Sequence, residues 1–301
     1  MVGTHEKERK QCMEEQGIFI ERILSNENMN RAYKQVKKNK GAAGIDGMEC
    51  ADLLSHLKVN GQQLRESIRN QSYKPMPVKR VEIPKDNGSK RKLGIPTVTD
   101  RMIQQAAAQV LTPIYERKFH TNSYGFRPGK SAQRAVLKAA EYMNEGYNWV
   151  VDIDLEKFFD TVEHDKMISI LNKEIKDGKT LSLIRKFLVS GVMVGEQMEE
   201  TEIGTPQGGN ISPLLANILL NELDWELESR GLRFVRYADD CIILVRSEKA
   251  AIRVMKSVTK YIENVLRLKV NKDKSRIGRP TEIQYLGFAF YYQFQEKKYR
   301  M

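Results

Sequence analysis

Two adjacent acids, Asp239 and Asp240, lie between the apolar, β-prone stretches that run through Phe234, Val235 and Tyr237 and through Cys241, Ile242, Ile243, Leu244 and Val245. Such runs joined by turn-prone residues predict a β-hairpin with the paired acids at its tip. Carboxylates forced together repel one another, and hard divalent cations are the natural relief. A third acid stands upstream, where Trp149-Val150-Val151-Asp152-Ile153-Asp154 alternates as a strand. That alternation puts Asp152 and Asp154 on one face, so the two compete for the role. If this strand and the hairpin share a sheet, Asp154, Asp239 and Asp240 converge on two Mg²⁺ ions about 4 Å apart, with Mn²⁺ as a substitute. The chemistry would be two-metal phosphoryl transfer.

The elements that must position these acids can be read from the pattern. Residues 1–40 are charged and helix-friendly, with Ile18, Ile20, Ile23, Leu24, Ala32, Tyr33 and Val36 on one side, and Gly41, Gly44, Asp46 and Gly47 then mark a loop. Val78, Val81 and Ile83 precede a turn at Lys85-Asp86-Asn87-Gly88, and Lys90, Arg91 and Lys92 lead out of it, which predicts a basic hairpin. Helices are expected over 100–119, over 130–144 with Ser131 as cap, after His164, over 179–190, from Ser212-Pro213 to Gly231, and over 248–266. Ile283 to Tyr292 reads as a strand.

The chain as a whole has 301 residues, a formal charge of +11 and a pI near 9.4. That surplus of Lys and Arg points to a polyanionic partner, with binding that weakens as salt rises. Cys12, Cys50 and Cys241 are scattered and show no zinc spacing with His5, His56, His120 or His164, which fits a reduced, intracellular, cytoplasmic protein. The N-terminus is too polar for a signal peptide, and no apolar run is long enough for a bilayer, so no membrane role is expected.

Several segments follow one another in a telling order. They are Asn39-Lys40-Gly41-Ala42-Ala43-Gly44-Ile45-Asp46-Gly47, Ile83-Pro84-Lys85, Arg91-Lys92-Leu93-Gly94-Ile95-Pro96, and Asn122-Ser123-Tyr124-Gly125-Phe126-Arg127-Pro128. Asp154-Leu155-Glu156-Lys157-Phe158-Phe159-Asp160, Gly204-Thr205-Pro206-Gln207-Gly208-Gly209, Tyr237-Ala238-Asp239-Asp240 and Tyr285-Leu286-Gly287-Phe288 follow. In this order and spacing the chain resembles the reverse transcriptases encoded by group II introns, also called maturases.

The resemblance implies an α+β right-hand polymerase fold: fingers and palm, with an antiparallel palm sheet flanked by helices. Residues 1–145 would be the N-terminal extension and fingers with the start of the palm, and residues 146–301 the palm with the catalytic hairpin and primer-grip strand. Full-length relatives continue into a helical thumb, so this chain reads as fingers and palm alone, expected to synthesise weakly, to keep RNA binding and to be open to self-association.

The resemblance also implies roles. Asp154, Asp239 and Asp240 would be catalytic metal ligands, helped by the Leu155 carbonyl. Lys85 and Arg91 would hold the incoming triphosphate, Gln207 would touch the nucleotide, and Phe159 would crowd the sugar 2′ position so that deoxynucleotides are preferred. Lys274 would offer a proton to the leaving pyrophosphate, while Tyr285, Leu286 and Gly287 would grip the primer. The partners implied are group II intron RNA, an RNA template with a DNA primer, and dNTPs. The rival readings are a non-catalytic RNA-binding maturase scaffold and a reverse transcriptase of the diversity-generating or defence type. Three intact acids argue against the scaffold, which needs none of them.

Overall fold

The computed structural model describes residues 17–84, 88, 90–201, 203–205 and 208–301. Lys85 and Gln207 therefore lie outside the described residues, as do 1–16 of the expected first helix. The helices are α1 (Ile18–Leu24), α2 (Asn26–Asn39), α3 (Leu53–Arg69), α4 (Val98–Glu116), α5 (Ala132–Asn144), α6 (Phe158–Thr161), α7 (His164–Asn172), α8 (Gly178–Leu188), α9 (Ser212–Ser229) and α10 (Glu248–Asn264). The strands are β1 (Val78–Pro84), β2 (Lys90–Ile95), β3 (Trp149–Ile153), β4 (Val192–Val194), β5 (Gln197–Glu199), β6 (Arg233–Tyr237), β7 (Asp240–Val245), β8 (Arg276–Gly278), β9 (Gln284–Tyr285), β10 (Phe288–Ala289), β11 (Tyr291–Gln293) and β12 (Lys298–Arg300).

Two compact units are built from interleaved stretches of chain. The first comprises the residues up to Ile114 together with Glu163–Ser212. It holds a sheet of order β2-β1-β4-β5, in which β1 and β2 form the expected basic hairpin and β4 joins β1 in parallel. Buried Asp177 organises the helices here. Its carboxylate accepts from the backbone N–H groups of Lys179 and Thr180 at the start of α8 and also from those of Phe19 and Ile20 at the start of α1. One acid thereby satisfies the orphan donors of two helix N-termini.

The second unit comprises Tyr115–Val162 and Pro213–Met301. Its sheet has the order β6-β7-β3-β8, antiparallel throughout. Val150, Val235, Ile242 and Leu244 pack into one core with Ala135, Val136, Ala139 and Met143 of α5, joined by Ile283, Tyr285 and Phe290. Helix α10 lies on β3 and β7. With β3 and β7 inside the sheet and nearly every residue of β7 buried, the ends of these two strands are held firmly where they meet.

Two expectations differ in detail. The first helix breaks at Ser25, whose ψ of 146° leaves the helical region and whose hydroxyl accepts from the Asn28 N–H, so a new helix starts there. Ser131 caps α5 as expected, accepting from the Arg134 N–H. The strand expected over 283–292 is instead broken into β9, β10 and β11. Leu286 and Gly287 turn the chain with φ of 53° and 80°, and Tyr285 pairs with Phe288 across a two-residue loop.

Candidate active site

The hairpin that carries Asp239 and Asp240 closes one residue earlier than expected. Tyr237 pairs with Asp240, so the loop is Ala238–Asp239 and Asp240 opens β7. Ala238 takes the left-handed conformation at φ 56°. On the neighbouring side, Ile153 of β3 pairs with Cys241 of β7 as the last rung of their ladder, so Asp154 and Asp240 come next on adjoining strands.

The electrostatics agree with this placement. Burial, followed by the negative charges of Asp239, Asp152 and Asp154, pushes the Asp240 carboxyl up to about 6, with Lys274 opposing them. Asp152 is otherwise engaged, with Arg276 Nε 3.4 Å from its Oδ2. Among the described residues, no group of three or more His, Cys, Asp or Glu side chains forms a ready-made metal cage. The donors that meet here are nonetheless hard carboxylate oxygens whose negative charges raise one another's proton affinity, the chemistry that suits Mg²⁺.

The raised Asp240 carboxyl makes a pH prediction. Its folded value lies above its usual 3.8, so ionisation opposes folding; the penalty is complete above about pH 6, fades as pH falls through 6 and is gone below 3.8. Because part of the Asp240 side chain still meets water, screening reduces the effect to about 1 kcal/mol. In metal-free protein, wild type should gain about that much stability relative to Asp240→Asn between about pH 8 and about pH 5, as read by urea unfolding. Parallel pH profiles for the two proteins would contradict it.

Asp154 is fixed through its backbone. Its N–H donates to Ser275 Oγ at 3.0 Å and its carbonyl accepts from the Asn271 N–H at 2.9 Å. Leu155 forms an antiparallel bridge with Val270, whose bonds run through the Asp154 carbonyl and the Glu156 N–H. The Asn271 side-chain oxygen accepts from the N–H groups of Asp273 and Lys274, forming a turn that sets Lys274 Nζ 4.0 Å from Asp154 Oδ2. One loop thus holds both the acid and the lysine.

The other candidates divide between the two units. Phe159 is half-buried in the single turn α6, its ring edge-on to buried Phe158 at 5.1 Å. Tyr285 is buried and its hydroxyl donates to the Val235 carbonyl at 3.1 Å, so it anchors the hairpin whose turn, Leu286-Gly287, is the presented part. Arg91 belongs to the first unit, exposed on β2 opposite Ile83.

Residues 83–290 match the family described as reverse transcriptase (RNA-dependent DNA polymerase). The chain belongs to that family. Protein YkfC of Escherichia coli K12 is 33% identical over 89% of this chain and 80% of its own length. The group II intron-encoded protein LtrA of Lactococcus lactis is 32% identical over 85% of this chain, which spans 54% of LtrA. Among solved structures, a chain of a partial Cas6-RT-Cas1–Cas2 complex is 28% identical with a TM-score of 0.51, over 82% of this chain and 43% of that one. The group II intron reverse transcriptase resemblance and the fingers-and-palm polymerase fold both accord with these relatives.

Proposed function

We propose that this chain performs RNA-directed DNA synthesis, joining a deoxynucleotide to the 3′-hydroxyl of a primer paired with an RNA template. The observation that carries the reading is the strand register that sets Asp154 beside Asp240 at the Ala238–Asp239 turn. Asp154, Asp239 and Asp240, with the Leu155 carbonyl, would hold two Mg²⁺ ions, for which Mn²⁺ could substitute. Mg²⁺ is usually bound through one or two carboxylates together with substrate phosphates, which fits a small carboxylate set of this kind. When bound, the ions would activate the primer hydroxyl and offset charge on the phosphates.

The chain's own side chains supply the remaining work. Lys274, kept near Asp154 by the Asn271 turn, would give a proton to the leaving pyrophosphate. Lys85 and Arg91 would grip the triphosphate, Arg91 through its planar fork, and Gln207 would meet the nucleotide. The Leu286-Gly287 turn, anchored by Tyr285, would bear on the primer end. The charge of +11 supports intron RNA as a partner, with phosphate contacts providing salt-sensitive affinity. Free Cys50 and Cys241 support a reducing, cytoplasmic setting.

Primer extension on an RNA template with dNTPs and Mg²⁺, run beside RNA-binding titrations over salt, tests the reading. Template-dependent incorporation is expected; salt-sensitive binding with no incorporation under Mg²⁺ or Mn²⁺ would overturn it in favour of a scaffold. Within the same assay, Phe159→Val should lower the preference for dNTPs over rNTPs by on the order of tenfold to a hundredfold, because the ring that crowds a 2′-hydroxyl is gone. Unchanged sugar selectivity would remove Phe159 from that role.

A further inference from the structure

Behind the catalytic turn lies a buried polar cluster to which none of the roles above gives a purpose. Arg236 on β6 is wholly buried, and all five of its N–H donors are used. Nε and Nη2 donate to the Asp224 carboxylate at 2.7 and 2.6 Å. Nη2 also donates to Ser123 Oγ at 2.8 Å, and Nη1 donates to Asn217 Oδ1 at 2.9 Å and to the Ala238 carbonyl at 2.8 Å.

The last of these bonds reaches the turn itself, and a second restraint meets the same residue. Asn217 Nδ2 donates to the Gly125 carbonyl at 2.8 Å, fixing a glycine so close to the turn that an added Cβ would stand 2.2 Å from the Ala238 nitrogen. Ala238 is therefore gripped at its carbonyl and walled in at its nitrogen, in a left-handed conformation that a non-glycine residue adopts only when its surroundings enforce it. Asp239 and Asp240 follow directly.

We infer that Arg236, supported by Asp224 and Asn217, is a positioning residue that sets the two hairpin aspartates by pinning Ala238. The inference rests on the polymerase reading for its catalytic consequence. Stability alone does not account for the choice of residues, because a buried ion pair is commonly no more stabilising than well-packed apolar side chains of the same volume. What an apolar pair cannot do is hold the Ala238 carbonyl in one place. Lysine cannot replace the arginine either: its three donors radiate from a single nitrogen and cannot span five acceptors in a plane.

The test uses Arg236→Lys, Asn217→Ala and Gly125→Ala, each first checked for folding by thermal melting. In every variant that folds, single-turnover incorporation should fall by roughly tenfold or more, with half-saturation by dNTP and affinity for template-primer changed by less than about twofold. Amide hydrogen exchange should quicken in a peptide covering 234–242 and stay unchanged in one covering 149–153. A folded variant with wild-type rate, or one whose exchange rises evenly across the whole unit, overturns the inference. If wild type itself makes no DNA, the polymerase reading fails, and the exchange comparison still decides whether Arg236 pins the turn.

Discussion

Asp224→Ala should destabilise the unit that carries the β6-β7-β3-β8 sheet by about 3–5 kcal/mol, because it leaves a buried guanidinium without its counter-charge. Arg236 and Asp224 are both at 0% side-chain exposure, so solvent does not reach either partner. Arginine cannot escape by losing its proton. A loss of that size is a large share of the 5–15 kcal/mol by which domains are usually stable. Surface pairs such as Lys138–Glu141 or Arg230–Glu226 differ in kind, since water screens them and their removal costs about 0–1 kcal/mol. Urea unfolding should show the midpoint falling with little change in slope. The double variant Asp224→Leu with Arg236→Met should recover much of the loss, since it removes both charges together. That variant would still lack the bond to Ala238, and so separates stability from positioning. A loss below about 1 kcal/mol in Asp224→Ala would mean that water or another acceptor replaces the carboxylate.

Much of the β6-β7-β3-β8 sheet was legible in the sequence because its strands are strongly patterned. Alternation over Trp149–Ile153 and the apolar runs around the two acids identified β3, β6 and β7, and these pair in one sheet. What local pattern could not decide was which pair closes the hairpin. That depends on Ala238 holding a left-handed conformation, imposed by Gly125 and Arg236 through contacts distant in sequence or buried in the fold. Arg236 gave a signal that was easy to pass over: a charged residue inside an otherwise apolar strand, which is tolerated only with a buried partner. The partner sits on α9, where Asp224 resembles any polar helix position until the strand is packed against it. Helix α3 is not among the helices expected: Leu53, Leu57, Leu64 and Ile68 do recur at helical spacing, but Gly61 interrupts the run and polar residues surround it. Strands β4 and β5 are three residues each and mostly exposed, too short for alternation to register.

Asp239→Ala should lower single-turnover DNA synthesis by about a hundredfold to ten-thousandfold, the factor equivalent to the several kcal/mol of charge stabilisation expected from a metal-held phosphate. Asp239 lies in the turn beside Asp240, and its charge is second only to burial in raising the Asp240 carboxyl. Removing it therefore has two linked consequences. The site loses a hard oxygen donor, and Asp240 ionises more readily because a repelling neighbour has gone. Relief of that repulsion means that the metal-free variant should be as stable as wild type or slightly more so, and lost synthesis then cannot be ascribed to unfolding. RNA affinity and its salt dependence should also persist, because nucleic-acid phosphates are generally met by cationic side chains and not by carboxylates. The decisive comparison measures incorporation, urea unfolding in chelator and RNA binding on the same preparation. Incorporation within about tenfold of wild type, with the fold intact, would show that Asp239 neither holds metal nor stabilises the reacting phosphate; reduced stability in chelator would show instead that its carboxylate has a supporting role in the hairpin.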